Sequence, residues 1–148
     1  MFRPILVVDD SAADCELVLH AIRRAGIANP VVRLRDGAQL LDWVHARGEF
    51  AVREAALPVA VFLDLRMPCV DGLKALRELR EAEGYSTLPV VILTDSDSDE
   101  DMRESYACGA NSFVVKPTAQ DDFCRDVERI GRYWAHINHA PDAAAARR

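Results

Sequence analysis

Four short apolar runs, Ile5–Val8, Val59–Leu63, Val90–Leu93 and Phe113–Val115, punctuate this sequence, each rich in β-branched residues and each stopped by a polar one. Runs this short, without in-and-out alternation, read as strands covered on both faces, the signature of a parallel sheet. A fifth segment, VVRLR at 31–35, alternates instead, setting Arg33 and Arg35 opposite Val32 and Leu34. That pattern predicts a half-covered edge strand.

Amphipathic segments separate the strands. Ser11 is placed to cap a first helix, with Asp14 three residues on and Gly26 as its stop. Gly37 to about Arg47 reads as a second helix, Gly72–Ala82 as a third and residues 98–108 as a short fourth. A last helix is expected from Thr118, whose hydroxyl would cap it, and its apolar residues Phe123, Val127, Ile130, Trp134 and Ile137 form an a/d-like seam. Five βα units with right-handed crossovers predict an α/β fold, a doubly wound five-stranded parallel sheet with five helices, the last one extended. We expect one domain over 1–139, a longer connection at Glu49–Pro58 and a loose tail over 140–148.

Composition narrows the function. The 148 residues carry a formal net charge of -6, which gives no electrostatic case for nucleic acid or an anionic membrane surface. No apolar run approaches the roughly 18–20 residues that span a bilayer, and Met1-Phe2-Arg3-Pro4 does not open a signal peptide. A cytoplasmic location is the expectation. Cys15, Cys69, Cys108 and Cys124 form no C-x-x-C and read as reduced, mostly packed thiols.

In open parallel sheets chemistry collects beyond the carboxyl ends of the strands. There this chain puts Asp9-Asp10, Asp64, Thr94 and Lys116-Pro117. Three carboxylates in one pocket repel each other, and either a proton or a cation must relieve them. An all-oxygen donor set favours a hard divalent ion such as Mg²⁺. With the ion bound, a neighbouring carboxylate can accept a phosphoryl group, Lys116 adding positive charge and Thr94 a donor. Asp64, alone at its strand end, is the best acceptor.

Asp9-Asp10, DLRMP at 64–68, Asp71-Gly72, Thr94 and Lys116-Pro117 together resemble the receiver domain of two-component response regulators across residues 4–135. The resemblance implies a flavodoxin-like strand order 2-1-3-4-5. It implies phosphoryl transfer from a histidine kinase to Asp64, and Mg²⁺ held by Asp10, Asp64 and the backbone carbonyl of Arg66, with Asp9 acting through water. Thr94 and Phe113 correspond to a hydroxyl and an aromatic that switch together, Lys116 to the lysine that pairs with phosphate, and Lys116–Pro117 to a cis bond. The surface of the fourth helix, fifth strand and fifth helix would then change for a partner. Such a domain is not an enzyme in the ordinary sense, though it assists its own phosphorylation and dephosphorylation. The RYWAHINHAP segment at 132–141 and the long Glu49–Pro58 connection resemble the single-domain regulators partnered with bacterial phytochromes. That implies a phytochrome-type kinase and a homodimer through Tyr133, Trp134 and Ile137.

Two positions depart from the family pattern. Asp95 follows Thr94 where a small residue is usual, and Arg66 stands two places after Asp64. We expect the two to pair across the rim of the pocket and gate it. Two other functions compete. A haloacid-dehalogenase-like phosphatase would need an acid where Arg66 stands, and a constitutive scaffold would carry phosphate only incidentally. His136-x-x-His139 reads as a solvated pair at a helix end, and SDSDEDMRE at 96–104 as the acidic start of the fourth helix.

Overall fold

The structure is a computed structural model that describes residues 2–54, 56–67 and 70–141. Its elements are β1 (Ile5–Val8), α1 (Ala12–Arg24), β2 (Val31–Leu34), α2 (Gly37–Val44), β3 (Ala60–Leu63), α3 (Gly72–Glu81), β4 (Val90–Thr94), α4 (Asp99–Ala107), β5 (Ser112–Val115) and α5 (Gln120–Arg132). A 3-10 turn at Gly48–Phe50 interrupts the long connection, and a π-helical turn at Tyr133–Ile137 prolongs α5. The sheet runs β2-β1-β3-β4-β5, parallel throughout. The expected α/β architecture and strand order are both observed.

Strand pleating divides the core. Leu6, Val8, Val61, Leu63, Val90 and Ile92 face α2 and α3, where they meet Leu40, Trp43, Leu76 and Leu79. Their alternating neighbours Ile5, Val7, Ala60, Phe62, Val91 and Leu93 face α1 and α5, meeting Val18, Ile22, Phe123 and Val127. Every residue of β1, β3 and β4 is buried, which is why those strands read as continuous apolar runs. β2 is an edge, as its alternation predicts, with Arg33 exposed. β5 is the other edge and is only half covered.

The helix starts follow local chemistry. The side chains of Ser11, Asp36, Asp71 and Ser98 each accept the backbone N–H three residues on. The expectation for Thr118 fails. α5 begins at Gln120 with Ala119 in the capping position and no side-chain cap. Thr118 lies one residue too early, and Asp121 and Asp122 in the first turn supply the charge that favours this helix end.

The Glu49–Pro58 connection is pinned by Arg53. Its guanidinium donates to the carbonyls of Trp43 at 2.6 Å and Val44 at 3.2 Å, and to the Tyr85 hydroxyl at 3.1 Å. It therefore closes carbonyls at the end of α2 while stacking 4.0 Å from the Trp43 ring centre.

The extended seam changes character at the π turn, where the Asn138 N–H donates to the Tyr133 carbonyl at 2.7 Å. The wider turn breaks the a/d spacing. Trp134 is half-buried against the α1–α5 side of the core, whereas Tyr133 and Ile137 are exposed. The expected tail at 140–148 lies outside the described residues from 142 onward.

Candidate functional site

The carboxyl ends of β1, β3, β4 and β5 meet at one point. β1 runs into Asp9, held by its N–H donating to the Leu34 carbonyl at 3.0 Å. β3 runs into Asp64, whose N–H donates to the Val8 carbonyl at 2.9 Å. The Lys116 N–H donates to the Thr94 carbonyl at 2.7 Å, fastening the ends of β4 and β5. The sheet ladder itself thus carries the side chains into register.

Carboxylate oxygens of Asp9, Asp10 and Asp64 lie within 4.8 Å of one another. Asp9 is occupied on both sides, Oδ1 accepting from the Ser11 N–H at 2.9 Å and Oδ2 from Lys116 Nζ at 2.7 Å. Asp10 is exposed and makes no hydrogen bond or ion pair among the described residues. Asp64 is buried, and its Oδ1 accepts from the Leu65 N–H at 2.8 Å. Lys116, also buried, reaches Asp14 Oδ2 at 2.8 Å and stands 3.8 Å from Asp64 Oδ2.

The electrostatics match this crowding. Burial pushes the Asp64 carboxyl up to about 6, with the charge of Asp9 adding to it. Lys116, the Leu65 amide and the Thr94 hydroxyl pull it the other way and do not win. Burial alone would lower the Lys116 ammonium, yet hydrogen bonds to Asp14 and Asp9 and the charges of Asp9 and Asp64 outweigh it and raise its pKa. Three carboxylates, Asp9, Asp14 and Asp64, therefore face one ammonium, and Asp10 adds a fourth negative charge beside Asp9 and Asp64. A hard divalent cation on the Asp9, Asp10 and Asp64 oxygens fits that donor set and relieves the charge.

Local packing holds the segment that follows Asp64. Asp71 caps α3, its Oδ1 accepting from the Lys74 N–H at 2.8 Å, and the Gly72 N–H donates to the Leu65 carbonyl at 3.0 Å. A Cβ at Gly72 would overlap the Asp64 carbonyl oxygen and the Leu65 Cα, which is why glycine follows Asp71. Thr94 is fully buried at the end of β4, with Oγ1 accepting from the Ser96 N–H at 3.3 Å. Phe113 pairs with Ile92 in the sheet and packs, partly buried, on the α2–α3 side of the core.

Two expectations about the pocket do not hold. Arg66 does not pair with Asp95. Its Nη2 lies 3.7 Å from Asp101 Oδ2, and Asp101 Oδ2 also accepts from the Ser96 hydroxyl at 2.5 Å. The Ser96–Asp101 bond brings the first turn of α4 over the rim, so Asp101 supplies the acid expected of Asp95. The Lys116–Pro117 bond is trans, since no cis peptide occurs among the described residues. In the sequence Asp14 and Asp101 are legible only as helix-start residues. Only the packing of α1 and α4 against the strand ends brings them to the pocket.

Comparisons with known proteins agree with this geometry. The model of the response regulator receiver domain matches residues 5–128. The chain is 39% identical over 142 residues to the probable methanogenesis regulatory protein FilR2 of Methanothrix harundinacea, covering 95% of this chain and 88% of that protein. It is 30% identical to the response regulator Rcp1 of Synechocystis, covering 95% of each. The Mn²⁺-bound crystal structure of Rcp1 superposes with a TM-score of 0.87 at 29% identity, over 94% of this chain and 99% of that one. The phosphorylated cyanobacterial phytochrome response regulator RcpA superposes with a TM-score of 0.89 at 27% identity, over 95% and 99% of the two chains. The chain belongs to the response regulator receiver domain family, whose members take part in two-component signalling through phosphorylation of an aspartate with Mg²⁺.

Proposed function

We propose that Asp64 is the phosphoacceptor of this receiver and that phosphate on it resets the surface of α4, β5 and α5. The observation that carries this reading is the position of Asp64. It is buried at the end of the central strand, within 4.8 Å of the Asp9 and Asp10 oxygens, with Lys116 Nζ 3.8 Å away. A carboxylate oxygen of Asp64 attacks the phosphorus of a kinase phosphohistidine and the P–N bond breaks. The imidazole nitrogen keeps the electron pair and takes a proton. Mg²⁺ held by Asp10, Asp64 and the Arg66 carbonyl, and by Asp9 through water, would offset charge on the transferred oxygens. Lys116 pairs with the phosphoryl group. Thr94 donates to it and vacates space for Phe113, which shifts the population between two packings of the α4–β5–α5 face.

The finer assignments follow from the likeness. RcpA, by its name a phytochrome regulator, supports a phytochrome-type histidine kinase as donor, while the name of FilR2 points to a different process. Exposed Tyr133 and Ile137 beside half-buried Trp134 support a homodimer through the end of α5. No described helix is long and apolar enough to cross a membrane. Membership of the receiver family supports a cytoplasmic location, and the charge of -6 gives no electrostatic support to nucleic-acid contacts. Water reaching the acyl phosphate in the same pocket would let the protein assist its own dephosphorylation without being a conventional enzyme.

Incubation with Mg²⁺ and acetyl phosphate tests the central claim. The expected result is a mass gain of one phosphoryl group, mapped to Asp64 and lost in Asp64→Asn. An unmodified wild type would leave a constitutive scaffold, the reading to which the departures at Arg66 and Asp95 point.

A further inference from the structure

Lys116 is held from two sides. Its ammonium has three N–H donors, and two are engaged by Asp9 Oδ2 at 2.7 Å and Asp14 Oδ2 at 2.8 Å. Asp64 Oδ2, at 3.8 Å, is beyond hydrogen-bond reach. The lysine side chain is only 4% exposed, so these partners, not water, set where it sits. Asp9 belongs to the strand end and is fixed by the Ser11 N–H. Asp14 is different. It rides on the first turn of α1, whose cap is Ser11 Oγ accepting the Asp14 N–H at 3.2 Å, so the Asp14 carboxylate is not engaged in capping and reaches Lys116 instead.

We propose that Asp14 is a positioning residue that holds the Lys116 ammonium back from Asp64 in the unphosphorylated protein, its carboxylate competing with an incoming phosphoryl group for that charge. The inference rests on Asp64 being the acceptor. A lysine shared between two carboxylates has part of its charge already neutralised, and although its third N–H is uncommitted, drawing the ammonium in from 3.8 Å competes with the Asp14 contact. Asp14 therefore stabilises the unphosphorylated arrangement. Its side chain is 29% exposed, so solvent screens its direct repulsion of a bound anion more than it weakens the hydrogen bond to Lys116.

The test uses beryllofluoride with Mg²⁺ as the phosphoryl mimic. Asp14→Asn should bind it about tenfold more tightly than wild type, which corresponds to about 1.4 kcal/mol. The gain should shrink toward nothing in a Lys116→Gln background. The ¹H–¹⁵N spectrum of the unliganded protein provides a readout independent of loading. The Lys116 ammonium signal, protected from solvent exchange in wild type, should broaden in Asp14→Asn while the thermal melt stays cooperative. Unchanged ammonium exchange, unchanged affinity, or a gain that persists without the lysine each overturns the proposal. If Lys116→Gln binds too weakly to compare, the ammonium spectrum decides alone. A wild type that does not bind beryllofluoride removes the acceptor reading and this one with it. Binding that is equal in wild type and variant removes this one only.

Discussion

The guanidinium of Arg66 lies 3.7 Å from the carboxylate of Asp101, joining the segment after Asp64 to the first turn of α4. Arg66 is 74% exposed, so the pair contributes on the order of 0–1 kcal/mol to stability. Its consequence is positional. Asp101 also accepts from Ser96, and its carbonyl accepts from the buried Ser105 hydroxyl at 2.7 Å, so one residue gathers the β4–α4 loop and the helix behind it. A double-mutant cycle of Arg66→Ala and Asp101→Ala on the rate of acetyl phosphate labelling should be non-additive. Strict additivity would show that the two act apart.

Gly72→Ala should be far more costly than its size implies. The added methyl meets backbone of Asp64 and Leu65, not a side chain that can swing away. Overpacking against a fixed partner costs typically about 1–3 kcal/mol. Urea melts should show that loss, and the displaced Asp64 should take up phosphate more slowly. A variant as stable and as reactive as wild type would mean that the Asp64–Leu65 backbone yields freely.

Asp64 makes stability depend on pH in the direction opposite to a salt-bridged acid. Its carboxyl is pushed up to about 6 from 3.8, chiefly by burial. The folded state thus keeps a proton that the unfolded chain has already lost, and stability falls as pH rises from about 4 to about 6. Without divalent ions, Asp64→Asn should exceed wild type by up to about 3 kcal/mol near neutral pH, the gap closing below about pH 4. Urea titrations in a chelator measure it. Mg²⁺ should restore part of the wild-type deficit at neutral pH, and a gap independent of pH would contradict the burial account.

The sheet and the clustering of Asp9, Asp64 and Lys116 are legible in the sequence because both rest on short-range signals. β-branched runs fix where strands lie, and the register of a parallel sheet then places Asp9, Asp64, Thr94 and Lys116 without further information. What stayed hidden depends on how elements turn toward each other. Asp95 follows Thr94 in sequence, yet Asp101 reaches Arg66, because the Ser96–Asp101 bond folds α4 back over the rim. Asp14 reads as a helix-start acid until α1 is packed beside Lys116. Thr118 carries a capping side chain one residue too early. The π turn after Arg132 has no signature in the a/d spacing, although it separates the fate of Trp134 from that of Tyr133 and Ile137.

That separation gives the dimer reading a clean test. Trp134 meets Tyr133 edge-on at 4.9 Å between ring centres and packs on the α1–α5 core, so Trp134→Ala removes folded-state contacts and should lower the melting temperature of the monomer itself. Tyr133 is 46% exposed and Ile137 61% exposed, so the paired change Tyr133→Ser with Ile137→Ser should cost no more than the lost edge-on ring contact, about 0.5–1.5 kcal/mol. If these residues form the homodimer contact, sedimentation velocity across a concentration series should show wild type associating and the double variant remaining monomeric. An unchanged concentration dependence in the double variant would assign the contact elsewhere, and an unstable double variant would show that the π turn belongs to the core after all.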